Sequence, residues 1–287
     1  MQYRPSSKGS TTLSALRTEI VKRLSLLDSP SLEADLILSH VLKVDRSWVH
    51  AHPEYVLTLG EQENTASFVK RREEREPLQY ILGTCNFDGL DLIVTEGCLV
   101  PRPETEFLVQ CASDHFDGSS FLDWGTGTGC ISVALLNRFP SSFAYMAEKN
   151  PKSIECASRN LDKFGMSSRA RLIKTSSPED ITGFKVSLIV SNPPYIPTSQ
   201  IDKLMPEVSC WEPRIALDGG KNGLAPYASL FALCKRLLLP SGVLCVEYGG
   251  NEQTELLRSL VPDYFVEIDA LRDISGQDRV IAWKILL

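Results

Sequence analysis

Leu13, Leu16, Ile20, Leu24 and Leu27 recur three or four residues apart, which gathers them on one face of a helix. Leu32, Leu36, Ile37, Val41 and Leu42 repeat the pattern after Ser29-Pro30-Ser31, a stop-and-restart signal. A third helix is expected around Phe68 and Val69. It ends in Lys70-Arg71-Arg72-Glu73-Glu74-Arg75-Glu76, a mixed-charge run that reads as a solvated helix face. From Tyr80 to Val100 the period shortens. Leu90, Leu92 and Val94 alternate with polar residues behind Asn86-Phe87-Asp88-Gly89, which predicts a β-hairpin turning at Asp-Gly. Pro101-Arg102-Pro103 breaks any strand that would continue.

The remainder alternates strand and helix. Strands are predicted over 121–122, 143–147, 170–173, 186–190 and 243–246, and helices over 131–139, 151–163 and 225–239. Two further strand-like runs, 264–268 and 280–285, are separated by a loop too short for a crossover helix, so they should pair antiparallel. The expected fold class is α/β: a doubly wound, seven-stranded, mostly parallel sheet with a terminal antiparallel hairpin. That final hairpin is a feature of S-adenosylmethionine methyltransferases rather than of NAD dehydrogenases. The expected domains are a small helical domain over 1–79, a β-hairpin linker over 80–100, and the methyltransferase domain over 101–287.

Composition narrows the partners. Of 287 residues, 43% are hydrophobic and 23% charged, the balance of a soluble globular protein. No apolar run is long enough to span a bilayer and no signal-peptide pattern opens the chain, so a cytoplasmic location is expected. Residues 1–10 are polar and aperiodic, as in a frayed end. The net charge of −6 leans against a nucleic-acid backbone as main partner. The eight cysteines include no C-x-x-C pair, and no histidine is placed to complete a zinc-type pair with them. Reduced, partly buried thiols and no metal are therefore expected.

The chemistry is carried by two segments. Asp123-Trp124-Gly125-Thr126-Gly127-Thr128-Gly129 follows a predicted strand and precedes a helix, where alternate glycines let the backbone approach a ligand closely. The last small residue of a dinucleotide fingerprint would fall on Cys130, so the compact G-x-G-x-G form suits a cofactor without a pyrophosphate. Glu148, at the end of the next strand, is placed to accept hydrogen bonds from ribose hydroxyls. The second segment is Asn192-Pro193-Pro194-Tyr195, ending the fourth strand. Two prolines remove two N–H donors. The Asn192 side-chain oxygen and the Pro193 carbonyl can then accept both hydrogens of an NH₂ group, while Tyr195 offers a stacking face and a hydroxyl. Such a pocket suits a planar, delocalised nitrogen, a poor nucleophile that must be held in line with a methyl donor.

Taken in order, Pro77-Leu78-Gln79-Tyr80-Ile81-Leu82-Gly83, Pro101-Arg102-Pro103-Glu104-Thr105-Glu106, the Asp123 to Gly129 loop, Asn192 to Tyr195 and Glu212-Pro213-Arg214-Ile215-Ala216-Leu217 resemble the HemK/PrmC family of release-factor methyltransferases. The resemblance implies S-adenosylmethionine as cofactor and class 1 peptide-chain release factors as protein substrate. The methyl group would go to the side-chain amide of the glutamine in their Gly-Gly-Gln loop. It implies that Asn192, Pro193, Pro194 and Tyr195 receive that amide, and that Gly125, Thr126, Gly127, Thr128, Gly129, Glu148 and Asn192 hold the cofactor. Arg102 to Glu106 would lie near the cofactor's methionine end or link the domains. Where many relatives carry an acid that contacts adenine, this chain has Thr175-Ser176-Ser177, which makes Ser176 or Ser177 the expected reader of the base. The competing reading is a methyltransferase acting on adenine N6 or guanine N2 of RNA or DNA. Neither the acidic balance nor any basic, aromatic-rich appended segment supports it.

Overall fold

The structure, a computed structural model, describes residues 11–175 and 177–286, so the polar opening stretch and Ser176 lie outside the described residues. The chain divides into two compact units after Leu82. The first is helical: α1 (Leu13–Arg23), α2 (Pro30–Leu42), α3 (Arg46–Ala51), α4 (Leu59–Glu73) and α5 (Leu78–Leu82). Leu13, Ile20 and Leu24 bury the expected face of α1 against Ile37, Leu38 and Val69; on α2 the buried face is Ala34, Ile37 and Leu38, and Leu32 of the expected stripe is exposed. Thr58 and Glu61 form a reciprocal capping box that starts α4. Three helices were expected here; α3 and α5 are too short to display a period. The run from Lys70 to Glu76 is only in part a solvated face: Lys70, Glu73 and Glu74 are exposed. Arg72 and Glu76 are buried, Arg72 bridges to Glu33 on α2, and Arg71 bridges to Glu76. Four-residue spacing alone does not say which charges meet an acid from another helix.

The second unit opens with the hairpin β1 (Thr84–Phe87) and β2 (Leu90–Ile93). Asp88 and Gly89 take φ of 51° and 75°, the left-handed pair that a two-residue hairpin turn requires. The hairpin is pinned by Asn160. This fully buried side chain accepts from Ile93 N (2.7 Å) and donates to the carbonyls of Ile93 and Thr128 (both 2.9 Å).

Then follow α6 (Thr105–His115), β3 (Ser120–Trp124), α7 (Cys130–Arg138), β4 (Phe143–Glu148), α8 (Pro151–Lys163), β5 (Ala170–Lys174) and β6 (Val186–Ser191). The chain ends through α9 (Pro206–Ser209), α10 (Ala225–Leu237), β7 (Leu238–Glu247), α11 (Asn251–Leu260), β8 (Phe265–Arg272) and β9 (Asp278–Ile285). The seven strands lie in the order β5-β4-β3-β6-β7-β9-β8. All neighbours are parallel except at β9, which runs antiparallel to both β7 and β8. This is the expected sheet with its terminal hairpin. The sheet separates two apolar layers, one around Leu108, Leu135 and Val190, the other around Ile189, Phe231 and Trp283. Helix α10 stops before Leu239, because Pro240 disfavours a helical residue ahead of it, and β7 begins earlier than expected. Helices α6 and α11 were not anticipated.

Replacing Asn160 by leucine should destabilise the protein by roughly 2–4 kcal/mol, since it strands the Ile93 N–H and the Thr128 carbonyl in the interior. Chemical denaturation checks this; an unchanged midpoint would show that the hairpin is held by its apolar contacts alone.

Candidate active site

Parallel strands bring their carboxyl ends to one edge, and a crevice forms there where strand order reverses. The chain runs outward through β3, β4 and β5 and then returns to β6 on the other side of β3. The reversal therefore falls between β3 and β6. A cavity of about 370 Å³ occupies that edge, in the size range of small-molecule sites.

The glycine loop after β3 contributes Gly125, Thr126, Gly127 and Thr128 to the wall. Gly125 and Gly127 have φ of 79° and 57°; an added Cβ would meet nothing at Gly125 and only the Gly125 carbonyl oxygen, at 4.0 Å, at Gly127. Their need is for left-handed backbone and for clearance on the ligand side. Gly129 does not line the cavity. A Cβ there would press on Met146 (3.1 Å) and Ala157 (3.3 Å), so it seats the loop against α8. Asp123, fully buried, holds the loop from below by accepting from the hydroxyls of Thr126 (2.6 Å) and Ser132 (2.7 Å). Burial pushes its carboxyl up to about 6, against the pull of those two hydroxyls.

Glu148 lines the same cavity from the end of β4. One carboxylate oxygen accepts from Gly127 N (3.0 Å), the other from the amides of Lys149 and Asn150 (both 2.8 Å). These bonds fix the carboxylate while leaving lone pairs for a ribose diol. Thr128 Oγ1 is buried and has no partner among the described residues. An orphaned hydroxyl on the cavity wall, a fixed carboxylate and an open glycine backbone fit a nucleoside-bearing cofactor. Thr175, Ser177 and Pro178 add a further stretch of wall, with the Ser177 hydroxyl bonded to Glu179.

Asn192, Pro193 and Pro194 line the cavity beyond β6. The Asn192 Nδ2 donates to Thr105 Oγ1 (3.1 Å), which leaves Oδ1 as the end of the amide open to a ligand. Tyr195 is placed differently from the expectation. It is not part of the wall, and its hydroxyl donates to Glu247 Oε1 (3.1 Å). Burial and the neighbouring Glu247 carboxylate raise its pKa well above that of an ordinary phenol.

Sequence reasoning missed the groups that hold this segment. Glu247, fully buried at the end of β7, faces Tyr195 and Thr105, and its Oε2 has no hydrogen-bond partner among the described residues. Burial pushes its carboxyl up to about 7, opposed by the Thr105 and Tyr195 hydroxyls and by Arg279. Gln253 on α11 donates to the carbonyls of Tyr195 (2.8 Å) and Asn222 (3.0 Å). At Gly223 any Cβ would stand 2.0 Å from the Tyr195 carbonyl oxygen. An acid closing an otherwise apolar strand was the available signal for Glu247; nothing in the periodicity marks Gln253. Arg102 lines the cavity and bridges to both carboxylate oxygens of buried Glu212 (2.7 and 2.8 Å), which joins two of the quoted motifs. Glu106 is turned away, accepting from Asp88 N (2.9 Å).

All eight cysteines are free, and six are buried. Cys111 and His115, one turn apart on α6, do meet: with Asp269 on β8 their side-chain donor atoms lie within 4.8 Å of one another. The linear spacing was read too narrowly, because a four-residue interval puts two side chains on one helix face.

Comparison with known proteins bears on both units. Residues 15–83 match the family model described as the PrmC N-terminal domain, and residues 103–207 the one described as the methyltransferase small domain. The release factor glutamine methyltransferase of Geobacter sulfurreducens is 38% identical over 262 residues, covering 90% of this chain and 91% of that protein. That of Agrobacterium fabrum is 34% identical, covering 97% and 99%, and that of Chlorobaculum tepidum 36% identical, covering 88% and 90%. Among solved structures, a methyltransferase from Pyrococcus furiosus aligns with a TM-score of 0.54 at 16% identity, covering 69% of this chain and 90% of that one. The hMettl16 catalytic domain in complex with MAT2A 3'UTR hairpin 6 aligns with a TM-score of 0.56 at 14% identity, covering 78% and 81%. At such identities these two speak for the fold alone.

Glu148→Ala should weaken S-adenosylmethionine binding by about 1.5–3 kcal/mol, the worth of a hydrogen bond to a charged group. Calorimetry reads it, and unchanged affinity removes Glu148 from the site. Glu247 gives a pH signature. Its folded pKa is raised, so the native state holds a proton that the unfolded state has released between the ordinary carboxylate range and about 7. The contribution to stability is full below that window and lost as pH rises through it, by up to about 3 kcal/mol. Asp123 adds a smaller slope of the same sign. Glu247→Gln should flatten the fall seen in denaturation midpoints between about pH 4 and pH 7, the span of both shifts.

Proposed function

The chain belongs to the release factor glutamine methyltransferase family, and we propose from that premise that it methylates the side-chain amide nitrogen (N5) of the Gly-Gly-Gln glutamine in class 1 release factors. The observation that carries this reading is the tethered Asn192 amide. With its nitrogen spent on Thr105, Asn192 has its oxygen left to accept, and we assign the second acceptor to the carbonyl of Pro193, which lines the same cavity. A glutamine NH₂ needs two such acceptors in one plane.

S-adenosylmethionine, when bound, supplies a methyl group on a sulfonium. This chain's residues do the rest. Glu148 and the loop from Gly125 to Thr128 hold the nucleoside end, with Thr128 Oγ1 free to join a ligand's hydrogen bonds. Asn192 Oδ1 and the Pro193 carbonyl draw the two amide hydrogens into line, which localises electron density on the nitrogen as the new bond forms. Tyr195, its hydroxyl engaged by Glu247, holds the backbone of this segment instead of stacking freely on the substrate. No strong base is needed, since the methylated nitrogen is acidic and sheds its proton afterwards.

The helical unit, with its own core, takes the part of gripping the release factor. Among the described residues no helix is long and apolar enough to cross a membrane, and a translation-factor substrate suits a cytoplasmic enzyme. The net charge of −6 gives the nucleic-acid alternative no support.

Labelled cofactor offered to release factor and tRNA side by side tests the reading. The label should reach release factor only, and mass spectrometry should place one methyl on the Gly-Gly-Gln glutamine. A release factor carrying glutamate there should accept none. Asn192→Ala should lower transfer by at least about 100-fold while cofactor binding persists. Label on an RNA base with release factor untouched would overturn the assignment.

A further inference from the structure

Cys111 and His115 stand one turn apart on α6, which packs against β7, β8 and β9. The Cys111 side chain is fully buried, whereas those of His115 and Asp269 are 26% and 31% exposed. His115 Nε2 lies 3.0 Å from Asp269 Oδ2, and the donor atoms of all three residues fall within 4.8 Å of one another. A buried sulfur thus meets an imidazole and a carboxylate that water can reach.

The strand that carries Asp269 departs from regularity to bring it there. Glu267 pairs with Trp283 and Asp269 with Ala282, so β8 slips by one residue against β9 and Ile268 is the residue left over. In a regular strand Asp269 would share a face with Glu267 and Trp283, and Trp283 belongs to the apolar layer on the other side of the sheet. The bulge moves Asp269 to the face of Ala282, which belongs to the layer that α6 covers. Without that extra residue the carboxylate would not meet the helix.

We propose that Cys111, His115 and Asp269 bind one zinc-class divalent metal ion, with a fourth position open to water. A thiolate, an imidazole and a carboxylate are ligands that Zn²⁺ takes together. Bonds of about 2.0–2.3 Å in a tetrahedron set the donor atoms roughly 3.3–3.6 Å apart. Side-chain movements on the order of 1 Å bring the cluster to that geometry. Thiolate and carboxylate together neutralise a divalent ion, and the thiol proton leaves to solvent as the metal–sulfur bond forms. His115 is the last residue of α6, where the carbonyl end of the helix favours a cation. An ion here fastens α6 to β8, the edge strand of the sheet. Thr105, which holds Asn192, begins the same helix about 15 Å away at a rise of ~1.5 Å per residue. None of the three ligands lines the cofactor cavity, so the site stands apart from the transfer chemistry.

The test uses the full chain, stripped with a chelator and titrated with Co²⁺ as a spectroscopic stand-in for Zn²⁺. One equivalent should bind, with a sulfur-to-cobalt charge-transfer band and intense tetrahedral d–d bands, and Zn²⁺ should then erase both. The denaturation midpoint should rise with free Zn²⁺. Cys111→Ser should remove the charge-transfer band. As that position is buried, His115→Gln and Asp269→Asn carry the same test from partly exposed positions. Each should weaken Zn²⁺ binding by at least about 100-fold, the upper end of what the loss of an outer-shell partner costs. S-adenosylmethionine affinity should be unchanged in both. A cobalt spectrum without the charge-transfer band, a midpoint indifferent to Zn²⁺, or wild-type Zn²⁺ affinity in His115→Gln and Asp269→Asn would each overturn the site. These readouts need no turnover, so they decide the metal site whichever substrate takes the methyl group.

Discussion

In a parallel sheet the carboxyl ends of neighbouring strands lie side by side, and where the chain reverses its order no crossover helix fills the gap between them. That constraint puts the turn after β3, the last residue of β4 and the segment after β6 around one crevice, with the buried last residue of β7 bonded to that segment, though they stand far apart in sequence. Each strand end contributes one kind of group. β3 supplies bare backbone, β4 a fixed carboxylate, the segment after β6 the Asn192 amide, and β7 a buried acid that accepts from Tyr195 of the same segment. The antiparallel β9 then closes the far side of β7, so Glu247 sits inside the sheet rather than on its edge.

The sheet was legible because buried strands leave apolar runs and amphipathic helices leave a period, and both repeat throughout the second unit. The glycine loop, Glu148 and Asn192 were legible because each breaks a run at its carboxyl end. What escaped is consistent in kind. Helix α11 buries Gln253, Thr254 and Leu257, so two of the three residues on its inner face are polar and no apolar stripe exists to be read. Those side chains are buried for their hydrogen bonds, Gln253 to the catalytic segment and Thr254 to Asp278 (2.9 Å). Helix α6 likewise begins its buried face with Thr105, the residue that holds Asn192. Local pattern fails where a side chain serves the site instead of the core.

The corrections at the site share a cause. Gly129 and Tyr195 stand within motifs whose other members face the cavity, and adjacency in sequence was read as adjacency to the ligand. Three-dimensional placement separates them. Gly129 is chosen for its fit against Met146 and Ala157, and Tyr195 for its bond to Glu247. The rigidity of the motif thus comes from residues beside the wall, which a reading of the motif alone assigns to contact with substrate.

Keeping a carboxylate such as Glu247 in the interior works against stability, since burial favours its neutral form. An apolar residue at this strand end would relieve that cost but would leave the Tyr195 hydroxyl without its acceptor. Aspartate at position 192 would offer two acceptor oxygens, yet would set a negative charge against the buried acid behind it. Asparagine keeps the acceptor neutral, with its nitrogen tied to Thr105 Oγ1. The destabilised acid holds the hydroxyl of Tyr195, the last residue of the same segment, so the cost of burying it and the rigidity of the segment are two consequences of one group.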